Sequence, residues 1–200
     1  WSDFFFQVVF VATAMSVVSG AVAERKRLWT FLGFAAIFTA LIYPIQGAWS
    51  WGGGWLSQLG FFDFAGSGIV HMAGASAALA AVLLLGPRIG KYDISGNPQP
   101  IHGSNAAQVT LGTLILWFGW FGFNAGSALA ANGLAAQAFV NTFIGGAAGM
   151  VAWMIIEMVK TGKVSTIGMA SGIIAGLATI TGAAGYVGTM HSFLFGALGG

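Results

Sequence analysis

An aspartate and a histidine in otherwise apolar sequence are the ionisable side chains best placed for chemistry. Asp63 begins an apolar stretch, and His71 follows it eight residues later. At a helical rise of about 1.5 Å per residue, His71 would lie about 12 Å deeper than Asp63, near the middle of a hydrocarbon core about 30 Å thick. An imidazole at that depth faces protein or water, not lipid. It can accept one hydrogen bond while it donates another, so it can relay a proton or hold a small polar solute.

Both residues also have a purely structural interpretation. His71 could be a buried neutral imidazole that bonds another helix, although its depth in the membrane favours a pore-lining role. Asp63 stands where a carboxylate can accept bonds from the free N–H groups at a helix start and so cap the helix. The same carboxylate would attract a cation to the outer mouth of a pore. Capping and attraction are compatible, because they need no separate geometry.

Tryptophans and a serine form the third candidate feature. Trp51 lies in a glycine-rich stretch, and Trp120 and Phe123 come shortly before Ser127. The face of a tryptophan ring, together with a hydroxyl oxygen, can bind a small cation. Anchoring of the rings at the membrane interface explains the spacing equally well.

The usual motifs of catalysis and cofactor binding are missing from the chain. It has no cysteine, which excludes thiol catalysis and cysteine metal sites, and it has neither a Gly-x-Ser-x-Gly nor a His-Glu-x-x-His motif. Asp63 and His71 are too far apart on one helix for direct contact. The seven basic residues are too few for a nucleic-acid surface. We therefore predict no enzyme, no cofactor, no metal site and no nucleic-acid partner.

The elements that must position these residues are membrane-spanning helices. Hydrophobic residues make up 57% of the 200 and charged residues 6%, and the mean hydropathy is +0.84, so the solvent of the chain is largely lipid. Stretches near the ~20 apolar residues of a bilayer crossing predict about six complete spans and part of a seventh. They cover residues 4–23, 28–48, 64–86, 106–128, 134–158 and 166–185, and the partial one covers 188–200. We predict an all-α polytopic membrane protein with a single transmembrane domain over residues 1–200.

The basic residues predict how the spans are oriented. They follow the first, third and fifth spans and are Arg25, Lys26, Arg27, Arg88, Lys91, Lys160 and Lys163, whereas the opposite connections, 49–63 and 129–133, contain none. The positive-inside rule makes the basic side cytoplasmic. The sequence therefore predicts a multi-pass protein with its basic loops in the cytoplasm.

Glycines recur at four-residue steps inside the spans, as at Gly168, Gly172 and Gly176 or at Gly122 and Gly126. Rows of small residues let helix backbones approach closely. They predict a compact helical bundle, which suits a transporter or channel better than single-helix anchors.

The candidate residues lie in sequence blocks that resemble the signature of the ammonium transporter (Amt/MEP/Rh) family, and of its Amt branch in particular. The blocks occur in order at residues 20–25, 51–54, 63–71, 86–90 and 119–127, and the resemblance runs over nearly the whole chain. The family fold is a bundle of about eleven spans built as an inverted repeat. This chain resembles spans three to eight and part of nine, so the resemblance implies a fragment of an ammonium transporter. The family's second pore histidine lies on a later span, and His191 comes too early to replace it.

The resemblance implies roles for the aromatic residues and the serine. Phe10 and Phe123 look like the stacked phenyl rings that gate the outer end of the family's pore. Trp51 and Ser127 resemble the external ammonium site, where an aromatic face and a hydroxyl receive the ion. Trp120 is expected nearby.

The resemblance also implies roles for the ionisable residues and for the whole protein. Asp63 matches the family's acidic residue near the external site, and His71 matches the first of two pore histidines that line an apolar channel and hold the deprotonated substrate. Ammonium or ammonia would be the substrate and the inner, cytoplasmic membrane of a bacterium or archaeon the location. A homotrimer and a PII-type regulatory protein on the cytoplasmic loops are implied as partners. The alternatives are an ammonium sensor, in which the same fold is joined to a signalling module, and an Rh-like neutral gas channel.

Overall fold

The computed structural model describes all residues from Trp1 to Gly200 and is built from helices and turns. In chain order the helices are α1 (Ser2–Ala21), α2 (Leu28–Ala48), α3 (Trp55–Gln58), α4 (Ser67–Leu85), α5 (Ala106–Ala128), α6 (Gly133–Thr161), α7 (Thr166–Thr181) and α8 (Thr189–Gly199). Five of them, α1, α2, α4, α5 and α6, are long and apolar enough to cross a membrane. The all-α polytopic class predicted from the sequence is confirmed.

The predicted spans agree with the helices except at the sixth. The first five coincide with the five long helices to within a few residues. The sixth candidate, residues 166–185, is shorter than predicted, because α7 has 16 residues and stops at Thr181. At about 1.5 Å per residue it is about 24 Å long, less than the hydrocarbon thickness. It stops there because residues 63–67 bond its last carbonyls and the chain turns away.

The helices are grouped into two compact units. The first contains Trp1–Phe62 and Gly68–His102, and therefore α1, α2, α3 and nearly all of α4. The second contains Asp63–Ser67 and Gly103–Gly200, and therefore α5 to α8. The short segment 63–67 belongs with the second unit because it is hydrogen-bonded to α7.

In the first unit, two basic connections meet at one end. Arg25 donates from Nη1 to the backbone oxygen of Gly86 at 2.6 Å. Arg88 pairs with Glu24 through an Nη1–Oε2 contact of 2.8 Å. The connections after α1 and after α4 therefore lie on the same side of this unit, in agreement with the orientation predicted from the positive charges.

The long polar connection after α4 is organised by Asp93. Its carboxylate accepts the backbone N–H of Asn97 at 2.8 Å and that of Ser95 at 2.9 Å. These bonds favour the charged form, and they hold the pKa of this exposed carboxyl below its usual value. The loop therefore presents a fixed negative charge on the side predicted to be cytoplasmic.

In the second unit, α6, α7 and α8 pack through glycines. A Cβ atom on Gly149 of α6 would lie 2.9 Å from the Cα of Gly176 on α7, and one on Gly196 of α8 would lie 2.7 Å from the Cα of Gly145 on α6. Only glycine permits backbones this close, so the packing predicted from the glycine row on α7 is confirmed. Gly122 of α5 differs, because a Cβ atom there would meet nothing within 4 Å.

Candidate functional site

Two predicted site residues, Phe10 and Trp51, are in contact in the first unit. Phe10 is 2% exposed on α1, and its ring centroid lies 5.7 Å from that of Trp51, with the planes inclined by 58°. Trp51 follows α2 in a tight turn: a Cβ atom at Gly52 would lie 2.8 Å from the Cα of Ala48. The structure thus adds a Phe10–Trp51 contact that the sequence did not predict. The predicted pairing of Phe10 with Phe123 stays a prediction.

Trp51 lines an open groove of about 660 Å³ in the same unit. Phe4, Val11 and Tyr43 contribute to its mostly apolar wall, and Gln7 adds a polar side chain. A groove of this kind can admit a small cation and hold it against an aromatic face.

His71 lies in the first turn of α4, which is π-helical over Ser67–Met72. Its neighbours Ile69 and Val70 are buried, and the imidazole is partly buried. Nε2 of Gln46, on α2, donates to the backbone oxygen of Ile69 at 2.8 Å. The sequence indicated the apolar surroundings of His71. It indicated neither the π turn nor the bond of Gln46 to the backbone of Ile69.

Asp63 is 6% exposed and caps the start of α4. Its Oδ1 accepts the backbone N–H of Gly66 at 2.9 Å and that of Ser67 at 3.0 Å. Gly66 has a φ of +113°, a conformation that residues with a side chain rarely adopt. The capping interpretation is confirmed, whereas attraction of a cation by the same carboxylate stays a prediction.

We expect Asp63→Ala to lower the free energy of unfolding by about 1–2 kcal/mol, because one buried and one partly buried N–H group lose their acceptor. Asp63→Asn keeps an acceptor oxygen and should lose less than half as much. Asp3→Ala is the matched control, since Asp3 is exposed in the first turn of α1 and caps nothing there. Thermal unfolding in detergent measures all three. An Asp63→Ala variant as stable as the Asp3→Ala control would contradict the capping role.

The segment 63–67 is also bound to the C-terminal end of α7. The hydroxyl of Ser67 donates to the carbonyl of Ala178 at 2.6 Å and accepts the N–H of Gly182 at 2.6 Å. The N–H of Phe64 donates to the carbonyl of Gly182 at 2.8 Å. A Cβ atom on Gly182 would lie 3.0 Å from Oδ1 of Asp63. Asp63, Ser67 and the end of α7 therefore form one hydrogen-bonded cluster, which the sequence did not predict.

Trp120 is anchored at the same end of α7. Its Nε1 donates to the hydroxyl of Thr181 at 2.7 Å, and that hydroxyl donates to the carbonyl of Leu177 at 2.6 Å. The ring centroid of Trp120 lies 5.9 Å from that of Phe123. Because Trp120 and Thr181 are both buried, the bond between them sets the orientation of the indole. Thr181 was not among the predicted site residues; its only signal in the sequence is a hydroxyl in an apolar stretch, which Thr179 shares.

We expect Thr181→Val to cost about 1–3 kcal/mol of unfolding free energy, because the buried indole N–H of Trp120 loses its acceptor without a change in side-chain volume. Thr179→Val is the matched control two residues away, since Thr179 is exposed and donates only to the carbonyl of Ala175 in its own helix. Thermal unfolding and near-ultraviolet circular dichroism compare the two. Equal effects of the two substitutions would show that the bond to Trp120 has no role in stability.

Ser127 lies in the 3₁₀ turn Gly126–Ala128 that ends α5. Its hydroxyl donates to the backbone oxygen of Phe123 at 2.7 Å. Because the single hydroxyl proton is used in that bond, the lone pairs of the oxygen are oriented to accept a bond from another donor. The chemistry of Ser127 therefore suits a cation that carries protons.

The chain is similar to known proteins over nearly its whole length. Residues 1–200 match the Ammonium Transporter Family. The chain is 47% identical to the ammonium transporter Amt2 of Archaeoglobus fulgidus, over 98% of this chain and 44% of that protein. It is 42% identical to an ammonium transporter of Bacillus subtilis, over 98% of this chain and 46% of that protein. The chain therefore spans less than half the length of these curated relatives.

Solved structures with the same fold include a sensor Amt protein and a Mep2 protein. The structure of a sensor Amt protein matches with a TM-score of 0.96 and 38% identity, over 99% of this chain and 51% of that chain. The crystal structure of Candida albicans Mep2 matches with a TM-score of 0.87 and 40% identity, over 94% of this chain and 42% of that chain.

Five apolar helices that are long enough to cross a membrane define the class of this chain as a polytopic α-helical membrane protein. The agreement in sequence and fold then identifies the family. The chain belongs to the ammonium transporter family.

Proposed function

We propose that the chain is part of an ammonium transporter that recruits ammonium at an outer aromatic site and moves ammonium or ammonia through an apolar, histidine-lined pore. The observation that carries the proposal is the position of Trp51, which lines an open groove and contacts the buried ring of Phe10, in the unit that also contains His71. Relatives that are 47% and 42% identical and bear the name ammonium transporter support it.

In this proposal, recruitment depends on an aromatic face, a hydroxyl and a carboxylate. The indole of Trp51 attracts the cation with about 0.5–2 kcal/mol, and the oxygen of Ser127 accepts one of its protons. Trp120, whose indole donates to Thr181, is the further aromatic residue that we assign to recruitment. Asp63 adds a negative charge that raises the local concentration of cations.

Passage through the pore depends on the phenyl rings and on His71. The rings of Phe10 and Phe123 gate the outer end and exclude water and hydrated ions. Beyond them, the imidazole of His71 exchanges hydrogen bonds with the deprotonated substrate in an apolar channel. Potassium has a similar size to ammonium but has no proton to donate or to lose, so it cannot form hydrogen bonds with the hydroxyl or the imidazole or enter the apolar pore as a neutral molecule.

The proposed whole protein is a transporter of about eleven spans in the inner, cytoplasmic membrane of a bacterium or archaeon. Residues 1–200 form part of its single transmembrane domain and correspond to spans three to nine. The protein assembles as a homotrimer, and a PII-type regulatory protein contacts its cytoplasmic loops. The basic connections after α1 and α4, which lie on one side of the first unit, support the orientation.

An ammonium sensor is the second candidate. The observation in its favour is the similarity to the structure of a sensor Amt protein, with a TM-score of 0.96. A sensor would use the same recruitment residues but would pass the signal to a module joined to the transmembrane domain. The transporter and the sensor therefore predict the same binding of ammonium but different uptake of ammonium.

The test is to express the full-length protein in a host that lacks ammonium transporters and to measure growth on limiting ammonium and uptake of labelled methylammonium. We expect growth, and we expect Trp51→Ala to weaken the apparent affinity about tenfold. Trp29→Ala is the matched control, because Trp29 is 82% exposed at the other end of α2. A well-folded protein that binds ammonium but supports neither growth nor uptake would contradict the transporter proposal and favour the sensor.

A further inference from the structure

The helical turn that carries His71 has an unusual geometry. Over Ser67–Met72 the helix α4 is π-helical, and it becomes α-helical at Ala73. A π turn holds one more residue than an α turn, so it changes the direction in which the following side chains point. The direction of the His71 imidazole therefore depends on whether this turn is kept.

A polar side chain from another helix bonds this turn from one side. Gln46 lies on α2, and its Nε2 donates to the backbone oxygen of Ile69 at 2.8 Å. Ile69 is inside the π turn and two residues before His71. The helices are also close at this point, since a Cβ atom on Gly47 would lie 3.9 Å from Cγ2 of Ile69. The Gln46 amide therefore fixes a backbone group of the turn and not merely a neighbouring side chain.

The helix α1 packs closely against the next turn of α4. Gly74 is buried, and a Cβ atom there would lie 3.0 Å from the Cβ of Val17 on α1. His71 thus lies between two fixed points of α4, the carbonyl of Ile69 and the backbone of Gly74. Of the two contacts, only the one from Gln46 is a hydrogen bond that a substitution can remove without changing the packing.

We propose that Gln46 is a positioning residue for His71: its amide holds the π turn of α4 open and so sets the direction of the imidazole. The proposal rests on the proposed function insofar as the direction of His71 matters for ammonium passage. Gln46 itself touches no substrate in this proposal. Its effect is on the rate at which substrate passes His71 and not on recruitment at Trp51.

The test compares Gln46→Met with Ile45→Met in the full-length protein. Methionine keeps the length of glutamine but cannot donate, and Ile45 is the exposed neighbour on the same helix. In ¹⁵N-histidine spectra, with His71 assigned by its loss in His71→Ala, we expect Gln46→Met to shift and broaden the His71 signal. The signals of His102 and His191 stay unchanged, and Ile45→Met changes none of the three. Gln46→Asn, with a side chain one methylene shorter, gives the same change to a smaller degree and serves if Gln46→Met folds poorly.

Uptake provides the second measurement. We expect Gln46→Met to lower the maximal rate of methylammonium uptake by about tenfold, because small misplacements of a reacting group have effects of that order or larger. The half-saturation concentration stays that of the wild type. An unchanged His71 signal, equal changes in all three histidines, or a shifted signal with wild-type uptake would each overturn the proposal. If the wild-type protein carries no ammonium, the proposed function fails, and the spectra alone decide whether Gln46 positions His71.

Discussion

Ammonium uptake by the full-length protein is expected to fall at least about 100-fold in His71→Ala, because the imidazole that we propose to hydrogen-bond the deprotonated substrate is lost. His71 is partly buried in an apolar helix and follows the buried residues Ile69 and Val70. Alanine offers neither a donor nor an acceptor. Initial rates of methylammonium uptake at saturating concentration measure the effect.

His102→Ala is the matched control for this result. His102 is exposed in the connection between α4 and α5, outside every helix, so its removal should leave uptake unchanged. Wild-type uptake in a folded His71→Ala variant would show that His71 is only a packing residue. That outcome would favour the structural interpretation, in which His71 is a buried neutral imidazole that bonds another helix.

The second large effect is expected in the helix packing. Gly149→Leu should lower the free energy of unfolding by at least about 3 kcal/mol, because overpacking of even a few methylenes costs about 1–3 kcal/mol and the contact here is between backbones. A Cβ atom on Gly149 would already lie 2.9 Å from the Cα of Gly176. The helices α6 and α7 would have to separate. Thermal unfolding and the yield of monodisperse protein in detergent record the loss.

Gly112→Leu is the control for this substitution. Gly112 lies inside the long helix α5, and a Cβ atom there would meet nothing within 4 Å. Leucine also has the better helix propensity, by up to about 1 kcal/mol, so this variant should be as stable as the wild type or more stable. Similar losses in both variants would show that any large side chain is harmful in these helices and that the Gly149–Gly176 contact has no special role.

The helices could be predicted because their causes are local. An apolar stretch must be about 20 residues long to cross a bilayer, so hydropathy located the five long helices to within a few residues. The cap formed by Asp63 and the close packing at Gly176 also follow from residue type and short spacing. Each of these features involves neighbours in sequence or a repeat along one helix.

The missed features depend on residues far apart in the chain. The bonds from Ser67 to Ala178 and from Trp120 to Thr181 join residues 111 and 61 positions apart, which spacing does not reveal. The π turn around His71 has no signature in its residue types, and the partner Gln46 is an ordinary polar residue near the end of a span. The early end of α7 follows from the same distant contacts.

The candidate site could be predicted only in part from the sequence. Residue type and spacing marked the aspartate, the histidine, the tryptophans and the serine as candidates, and the resemblance to a family added Phe10 and the roles toward ammonium. The structure adds the contact of Phe10 with Trp51 and the bond of Ser127 to the backbone. The roles of these residues toward ammonium stay predictions. Residue spacing does not reveal that the Ser127 hydroxyl already donates its proton to a backbone oxygen.

The bonds of Ser67 to the end of α7 have a consequence for biosynthesis. Ser67 leaves the ribosome 111 residues before Ala178, its hydrogen-bond partner. At about 5–20 residues per second, the interval is roughly 5–20 s. During that time the starting segment of α4 cannot bond α7, which has not yet been made. The N-terminal end of α4 therefore reaches its final form only after translation has passed α7, and a nascent chain arrested before that point leaves this end unfinished.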